Sequence, residues 1–459
     1  MMKTHSPHPS HLCGSTSPRW GRLSLVAALA LLVPAAAHAI TVKVVPGPTG
    51  VETWLSEEHA LPMIAVNISL PGGSAYDPVD RTGLAALTAS LLDEGAGDLN
   101  SDAFKQALES KAIKLSASAE RDFVVVTLTM TTENADEAFR LLGMALAHPR
   151  FDADAVERMR ASLLASLKQE EQNPGQIASK AWFASYFGTH PYARPSGGTA
   201  SGLNAIKIDD IKSFAADHWV RDRAKVAVSG DITETQLRRY LQQVFLALPA
   251  KPVPAIARVA DAKPGSQTLP SDQAAPVAMF GIPGPVRSDP DFIPTYVANY
   301  ILGGGGFSAR LMDQVRDKRG LTYGIYTALA DYRSASIILG NVQSDKGKIL
   351  TAIDVTKEEM AKFAAQGATA RELADAKTYL TGSFPLTFDS NAKIARNLNG
   401  FQRSGLTADY VVQRNAMINA VTLAKVNEMA KKYYDPARLT VVIAGTPAAP
   451  TAAAPAIAR

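Results

Sequence analysis

Ala205-Ile206-Lys207-Ile208-Asp209-Asp210-Ile211 returns 215 residues later as Ala420-Val421-Thr422-Leu423-Ala424-Lys425-Val426. Each stretch opens a helix, the first running to Trp219 and the second to Tyr434. Each helix leads into an apolar strand, Ala224 to Val228 or Leu439 to Ile443, that stops just short of a glycine, Gly230 or Gly445. The starts of the two units also correspond. Leu70-Pro71-Gly72-Gly73 to Asp77-Pro78 parallels Ile282-Pro283-Gly284-Pro285 to Asp289-Pro290 at an offset of 212. A repeat this long means two copies of one domain fold, because solenoid units are far shorter.

Within a copy the order of patterns is strand, helices, strands, helices, strand. Met63 to Leu70 and Phe123 to Met130 are rich in β-branched residues, and the second pairs naturally with Ile113 to Ala119 across a turn at Glu120-Arg121-Asp122. Glu137 to Ala147 and Ala155 to Lys168 place apolar residues at three- and four-residue spacing, as helices packed on a sheet do. Thr233-x-x-Gln236 and Thr369-x-x-Glu372 read as capping boxes, and His148-Pro149 as a helix C-terminus. Strands followed by helix blocks predict an α+β class: a mainly antiparallel sheet in each copy, with helices packed on one face.

At 459 residues and 46% hydrophobic content the chain can bury more than one core. Lys3, Arg19 and Arg22 precede an apolar run from Leu23 to Val33 and then the small-x-small signal Ala37-His38-Ala39. That pattern predicts a secretory signal peptide cut near Ala39 and delivery to an oxidising compartment such as a bacterial periplasm. An uncleaved anchor is the alternative, disfavoured because a spanning helix needs about 20 residues. Loss of the leader removes three positive charges and no acids, so a net charge of +4 becomes +1, and no nucleic-acid or anionic-lipid partner follows. The single cysteine, Cys13, also lies in the leader, which leaves the mature chain without disulfides or thiolate chemistry. No second apolar stretch reaches membrane-spanning length. The expected division is a leader over 1–39, a first domain over 40–250, a Pro/Ala-rich linker over 251–272, a second domain over 273–446 and a disordered Pro/Ala tail over 447–459.

Chemistry-bearing residues are sparse. His59, His148, His190 and His218 have no partner at i+4 on a predicted helix, so a zinc site would need scattered ligands. Gly303-Gly304-Gly305-Gly306 precedes a helix, yet no Gly-Lys-Ser/Thr follows, which excludes a Walker loop. Ser90 and Ser166 lack a Gly-x-Ser-x-Gly elbow and a local histidine, so neither is a hydrolase nucleophile. Acidic pairs such as Glu170-Glu171 and Asp209-Asp210 sit at helix ends, where the dipole or solvent accounts for them.

Two stretches carry a family resemblance. Asp80-Arg81-Thr82-Gly83-Leu84-Ala85-Ala86-Leu87-Thr88-Ala89-Ser90-Leu91-Leu92 resembles the active-site helix of the pitrilysin/insulinase (M16) metallopeptidases, which reads roughly Gly-Leu-Ala-His-x-x-Glu-His-x-Leu in catalytic members. In those members two histidines one turn apart bind zinc and the glutamate between them handles the water proton. Here the three positions are Ala86, Ala89 and Ser90, and the third ligand, a glutamate about 76 residues on, falls at Ser166. The second stretch runs from the four glycines through Phe307-Ser308-Ala309-Arg310-Leu311 and Val315-Arg316-Asp317-Lys318-Arg319-Gly320-Leu321-Thr322-Tyr323. It resembles the block of the C-terminal half in which an Arg and a Tyr seven residues apart face the active site; Arg316 and Tyr323 match them. An arginine fork and a phenol suit peptide carbonyls and the oxyanion formed when water attacks.

The resemblance spans about Val51 to Gly445 and implies two tandem LuxS/MPP-like metallohydrolase domains, as in mitochondrial processing peptidase. It also resembles the short bacterial subfamily, in which one chain bears the zinc motif and another the Arg/Tyr pair. It thereby implies a non-catalytic, substrate-binding subunit with no metal of its own. Zinc would come from a catalytic partner with His-x-x-Glu-His, encoded nearby, and peptides or unfolded polypeptides would be substrates. The glycine run would be a substrate-admitting loop, or else a tight turn between packed helices. Two rival readings remain: a structural or assembly protein with this fold and no role in proteolysis, and a stand-alone enzyme with a relocated metal site.

Overall fold

Each copy of the repeat builds its own sheet. The computed structural model describes residues 40–259, 264–270 and 275–447; the predicted leader with Cys13, the cut at Ala39 and the tail from residue 448 lie outside the described residues. In the first half, strands β1 (Lys43–Val45), β2 (Val51–Glu57), β3 (Met63–Pro71), β4 (Lys114–Ala119), β5 (Phe123–Thr131) and β6 (Ala224–Gly230) form a sheet of order β1-β2-β6-β3-β5-β4. In the second, β7 (Gly265–Leu269), β8 (Val277–Pro283), β9 (Ile325–Tyr332), β10 (Ala335–Gln343) and β11 (Thr440–Ala444) run in the order β7-β11-β8-β10-β9. With β1 set aside the two orders are identical. In each sheet one pair is parallel, Val51 opposite Ala224 and Gly265 opposite Thr440, and the rest are antiparallel.

The strand-ending glycines explain why the repeat keeps them. Gly230 and Gly445 have φ of +137° and +135°, a region that side chains rarely adopt. A methyl at Gly445 would also run into Pro276, and one at Gly230 into the backbone of Met63.

One boundary needs correction. Residues 251–272 were expected to form a linker, yet Gly265–Leu269 is the edge strand β7, paired in register with β11. Its sequence Gly-Ser-Gln-Thr-Leu has no apolar alternation because its side chains are exposed or half-buried; the backbone ladder to β11 holds it, with Leu269 alone packed against the core.

Each half packs its own helices on one face of its sheet, and a helix of the other half covers the second face. One face of the first sheet carries that half's own helices, among them Leu84–Ser90, Ala135–Ala147, Ile208–His218 and Glu234–Phe245, over a core that includes Ile64, Val66, Leu128, Phe139 and Phe245. The other face is covered by helix Asn391–Arg403 from the second half, where Ile394 and Leu398 meet Trp54 and Ala227. Asn399 ties it down, its amide donating to the carbonyls of Asn67 and Lys225 at 3.2 and 2.9 Å while its oxygen accepts from Ser69 Oγ at 2.5 Å. The exchange is mutual. Helix Pro174–Phe187 of the first half packs Trp182, Phe183, Tyr186 and Phe187 on Ile337 and Val442 of the second sheet, and Trp182 Nε1 donates to the Thr440 carbonyl at 3.0 Å. Cover on both faces explains why β3 is buried at every position from Ile64 to Pro71 instead of alternating.

Candidate functional site

The helix Leu84–Ser90 starts from Gly83, whose φ of +98° turns the chain into it. Its first N–H groups are met by a carboxylate: Gly83 and Ala85 donate to Asp77 at 2.7 and 2.8 Å. Asp77 is 3% exposed, and burial pushes it up to about 7 against the opposing pull of those N–H groups and of Arg194. Leu84, Ala85, Leu87, Thr88 and Ala89 face the core, and Ala86 and Ser90 are half-buried. The helix touches both helix Ala153–Glu170, which carries Ser166 on an exposed face, and strand β4.

These residues do not fit a zinc ion. Ala86 and Ala89 offer methyl groups. The Ser90 hydroxyl donates to its own helix at Leu87 O, 2.8 Å, and the Ser166 hydroxyl to Ser162 O, 3.1 Å. Among the described residues, no three of His, Cys, Asp or Glu lie close enough together to hold a metal. Of the four histidines, His218 is packed between Tyr76 and Phe214, where burial lowers it to about 4; His59 pairs with Asp231; and His190 contacts the Ala257 carbonyl. His148 follows the helix Ala135–Ala147, its N–H bonded to Met144 O. What the helix does border is an unpaired sheet edge. Among the described residues β4 pairs only with β5 and is the edge strand of its sheet.

In the second half, one π-helical turn, Tyr300–Gly304, takes in the first two glycines of the run, and a second, Met312–Asp317, follows it. Such turns are rare and often mark functional sites. Space explains three of the glycines. A Cβ at Gly303 would strike Thr327, at Gly304 it would lie 2.9 Å from Asn299 Nδ2, and at Gly305 2.8 Å from the Tyr300 carbonyl. Asn299 and Thr327 are locked together, Thr327 Oγ1 donating to Asn299 Oδ1 at 2.8 Å and Asn299 Nδ2 to Thr327 O at 3.0 Å. Only Gly306 needs glycine for its backbone, at φ +59°. Arg316 donates to Asp317 at 2.8 Å and lies over the Phe307 ring at 4.8 Å. Tyr323 is 96% exposed. Among the described residues no hydrogen bond or ion pair joins either one to the helix Leu84–Ser90. Lys318 bonds Asp313 and Arg319 bonds Gln314, both at the surface.

Two α+β domains in tandem, a helix with small residues where a metal would be held, and a half-buried Arg316 with an exposed Tyr323 define a metallopeptidase-like protein that lacks zinc-binding side chains at those positions. Residues 54–200 match the family described as "Insulinase (Peptidase family M16)" and residues 205–380 that described as "Peptidase M16 inactive domain". The chain belongs to the M16 family. It is 28% identical over 389 residues, 84% of this chain and 90% of the other, to the "Non-peptidase homolog YmxG" of Helicobacter pylori. It is 20% identical over 388 residues, 84% and 94%, to the "Uncharacterized zinc protease YmxG" of Bacillus subtilis. The crystal structure of a "peptidase M16 inactive domain" from Pseudomonas fluorescens superposes with a TM-score of 0.84 at 29% identity, covering 90% of this chain and 99% of that one. The relatives' names differ over activity, so the side chains at Ala86, Ala89, Ser90 and Ser166 must decide. By those side chains this is an M16 homologue without the catalytic residues. No helix among the described residues is long and apolar enough to cross a membrane.

Sequence reasoning missed the Asp77 cap, which lies seven residues ahead of the helix and carries no motif, and the exchange of helices between the halves.

Proposed function

We propose that this chain is the non-catalytic, substrate-binding subunit of a heterodimeric M16 zinc peptidase acting on peptides in the periplasm. The partner holds zinc and activates water. This chain contributes the Arg316 fork and the Tyr323 phenol to the peptide's carbonyls, and lends a sheet edge on which the peptide lies extended. One observation carries the reading. The zinc positions hold Ala86, Ala89, Ser90 and Ser166, whereas Arg316 and Tyr323 retain the family's type and spacing and stand at the surface, Tyr323 with almost its whole side chain free. A chain that only scaffolds has no use for that pair. Arg316 needs little rearrangement to serve, because its one side-chain hydrogen bond goes to the exposed neighbour Asp317.

The test is reconstitution with the secreted His-x-x-Glu-His chain encoded beside it. The pair should cleave unfolded peptides in a zinc-dependent way, and neither chain should do so alone. Arg316→Ala should lower kcat/KM by about 10–100-fold, the loss of one charge-assisted contact to the transition state, while co-purification is unchanged. Equal cleavage by wild-type and Arg316→Ala pairs would overturn the assignment and leave an assembly role.

A further inference from the structure

The seam between the halves gathers arginines. The turn from β4 to β5, Glu120 to Asp122, meets the turn from β9 to β10 at Arg333 and Ser334. Tyr192 Oη donates to Asp122 Oδ1 at 2.5 Å, while the backbone N–H groups of Arg333 and Ser334 donate to Asp122 Oδ2 and Tyr192 Oη, each at 3.1 Å. Beside this knot opens a cleft of about 730 Å³, within the roughly 300–1,000 Å³ of small-molecule sites. Arg121 comes to it from the first half, Arg258 from the connecting segment, and Arg287, Arg333 and Arg403 from the second half. Three carboxylates face them, Glu120, Asp122 and Asp331, so five positive charges exceed three negative by two.

The imbalance is larger than that difference suggests, because two of the acids are spent on neutral donors. Asp122 serves Tyr192 and a backbone N–H, as above. Asp331, raised by burial, is met by the Ser404 hydroxyl and the Arg287 backbone N–H as well as by the Arg287 charge. Arg403 with Glu120, 2.6 Å, is the one salt bridge in the cleft wall among the described residues. Three of the other guanidinium groups rest on aromatic faces, Arg121 on Phe183 at 3.7 Å, Arg287 on Phe292 at 4.2 Å and Arg333 on Phe123 at 5.5 Å, and the fourth, Arg258, is exposed. Stacking of this kind fixes the plane of the fork; Arg121 also donates to the Arg194 carbonyl at 3.2 Å and to Tyr332, and Arg333 bonds Tyr76, so part of each fork's set of five N–H donors is left for a ligand. Arg121 is desolvated as well, and burial holds it below its ordinary value. Like charges brought together in a concave wall in excess of their counter-charges raise the potential there and cost folding energy, which an anion would recover.

We propose that this cleft binds a small polyanion with at least two oxyanion groups, phosphate or carboxylate, that bridges the two halves of the chain. Two groups are required because the forks that form no salt bridge among the described residues come from the first half, the connecting segment and the second half. Bidentate N–H edges match carboxylate and phosphate oxygens, and the excess positive charge favours those anions over neutral or cationic ligands. A bridging ligand favours the assembled halves over the unfolded chain and so raises the melting temperature.

The test uses the mature chain with tripolyphosphate and citrate as probes, by titration calorimetry and thermal melts at low salt. At least one probe should bind saturably at one per chain, raise the melting temperature, and weaken steeply with added salt. Binding by citrate alone assigns carboxylate as the source, by tripolyphosphate alone phosphate, and by both the shared oxyanion chemistry. Arg258 and Arg333 are exposed, so Arg258→Gln/Arg333→Gln should fold, verified by circular dichroism, and bind at least about tenfold more weakly. Arg258→Lys/Arg333→Lys should recover part of the loss, and Arg371→Gln, a remote exposed arginine, should bind as wild type. Undiminished binding by the double glutamine variant, or no saturable binding of either probe, would overturn the proposal.

Discussion

Truncating Trp182 to alanine should loosen the half of the molecule to which that residue does not belong in sequence. Trp182 is fully buried, stacked on Tyr186 at 4.5 Å and edge-on to Phe183 and Phe187, and its ring lies where a side chain on Gly281 of β8 would be. Removing a buried Trp costs about 3–5 kcal/mol in lost transfer energy and cavity. Losing the Nε1–H to Thr440 O bond adds about 1 kcal/mol. A total of about 4–6 kcal/mol is a large part of the roughly 5–15 kcal/mol that holds a domain together. Because helix Pro174–Phe187 covers β8 and β11 while helix Asn391–Arg403 covers β3 and β6, the loss should be felt by both halves at once. Urea unfolding followed by far-UV circular dichroism and tryptophan fluorescence should show one transition, moved to lower urea with little change in slope. Trp182→Phe, which keeps most of the volume, should lose far less. A biphasic curve with the first half unfolding at its wild-type midpoint, or a cost under about 1 kcal/mol, would refute the view that exchanged helices fuse the halves.

Two further predictions concern protons. Burial pushes Glu372 up, but the Arg310 fork and the Thr369 N–H and hydroxyl outweigh it and hold the carboxyl at about 2. A depressed folded value stabilises above the unfolded value of 4.5 and is lost as pH falls from there through about 2. Glu372→Gln should therefore cost about 2 kcal/mol at pH 7, after allowance for solvent screening, and little near pH 2, measured by denaturant titration at the two pH values. Asp77 has the opposite sign. Its folded carboxyl keeps a proton up to about 7 while the unfolded one loses it near 3.8, so the native state binds the extra proton between those values and stability falls as pH rises through that window. Asp77→Asn should remove that slope between pH 4 and pH 7, and an unchanged slope would show that the two backbone N–H groups keep the carboxylate ionised.

Much of this architecture was legible in the residues. The constant offset between Ala205 and Ala420, with strand-ending glycines at Gly230 and Gly445, gave two copies of one fold, and both capping boxes close as the pattern predicts. The small residues at Ala86 and Ala89 could be read from sequence because a methyl group cannot bind zinc in any fold. What stayed hidden depends on long-range pairing. Trp182, Phe183, Tyr186 and Phe187 announce a buried helix but not the sheet it covers. β7 carries no alternation because only its last residue, Leu269, is half-buried against the core. The arginines of the seam are far apart in sequence, and only the meeting of two hairpin turns with the connecting segment, the loop after β8 and the end of helix Asn391–Arg403 makes them neighbours.

The most direct test of the central claim is the metal content of the purified mature chain, by elemental analysis after dialysis against metal-free buffer, with a melt in the presence of a chelator. Well under one zinc per chain and an unchanged melting temperature are expected. One tightly held zinc per chain, lost with a fall in stability on chelation and traced to the first half, would contradict the account.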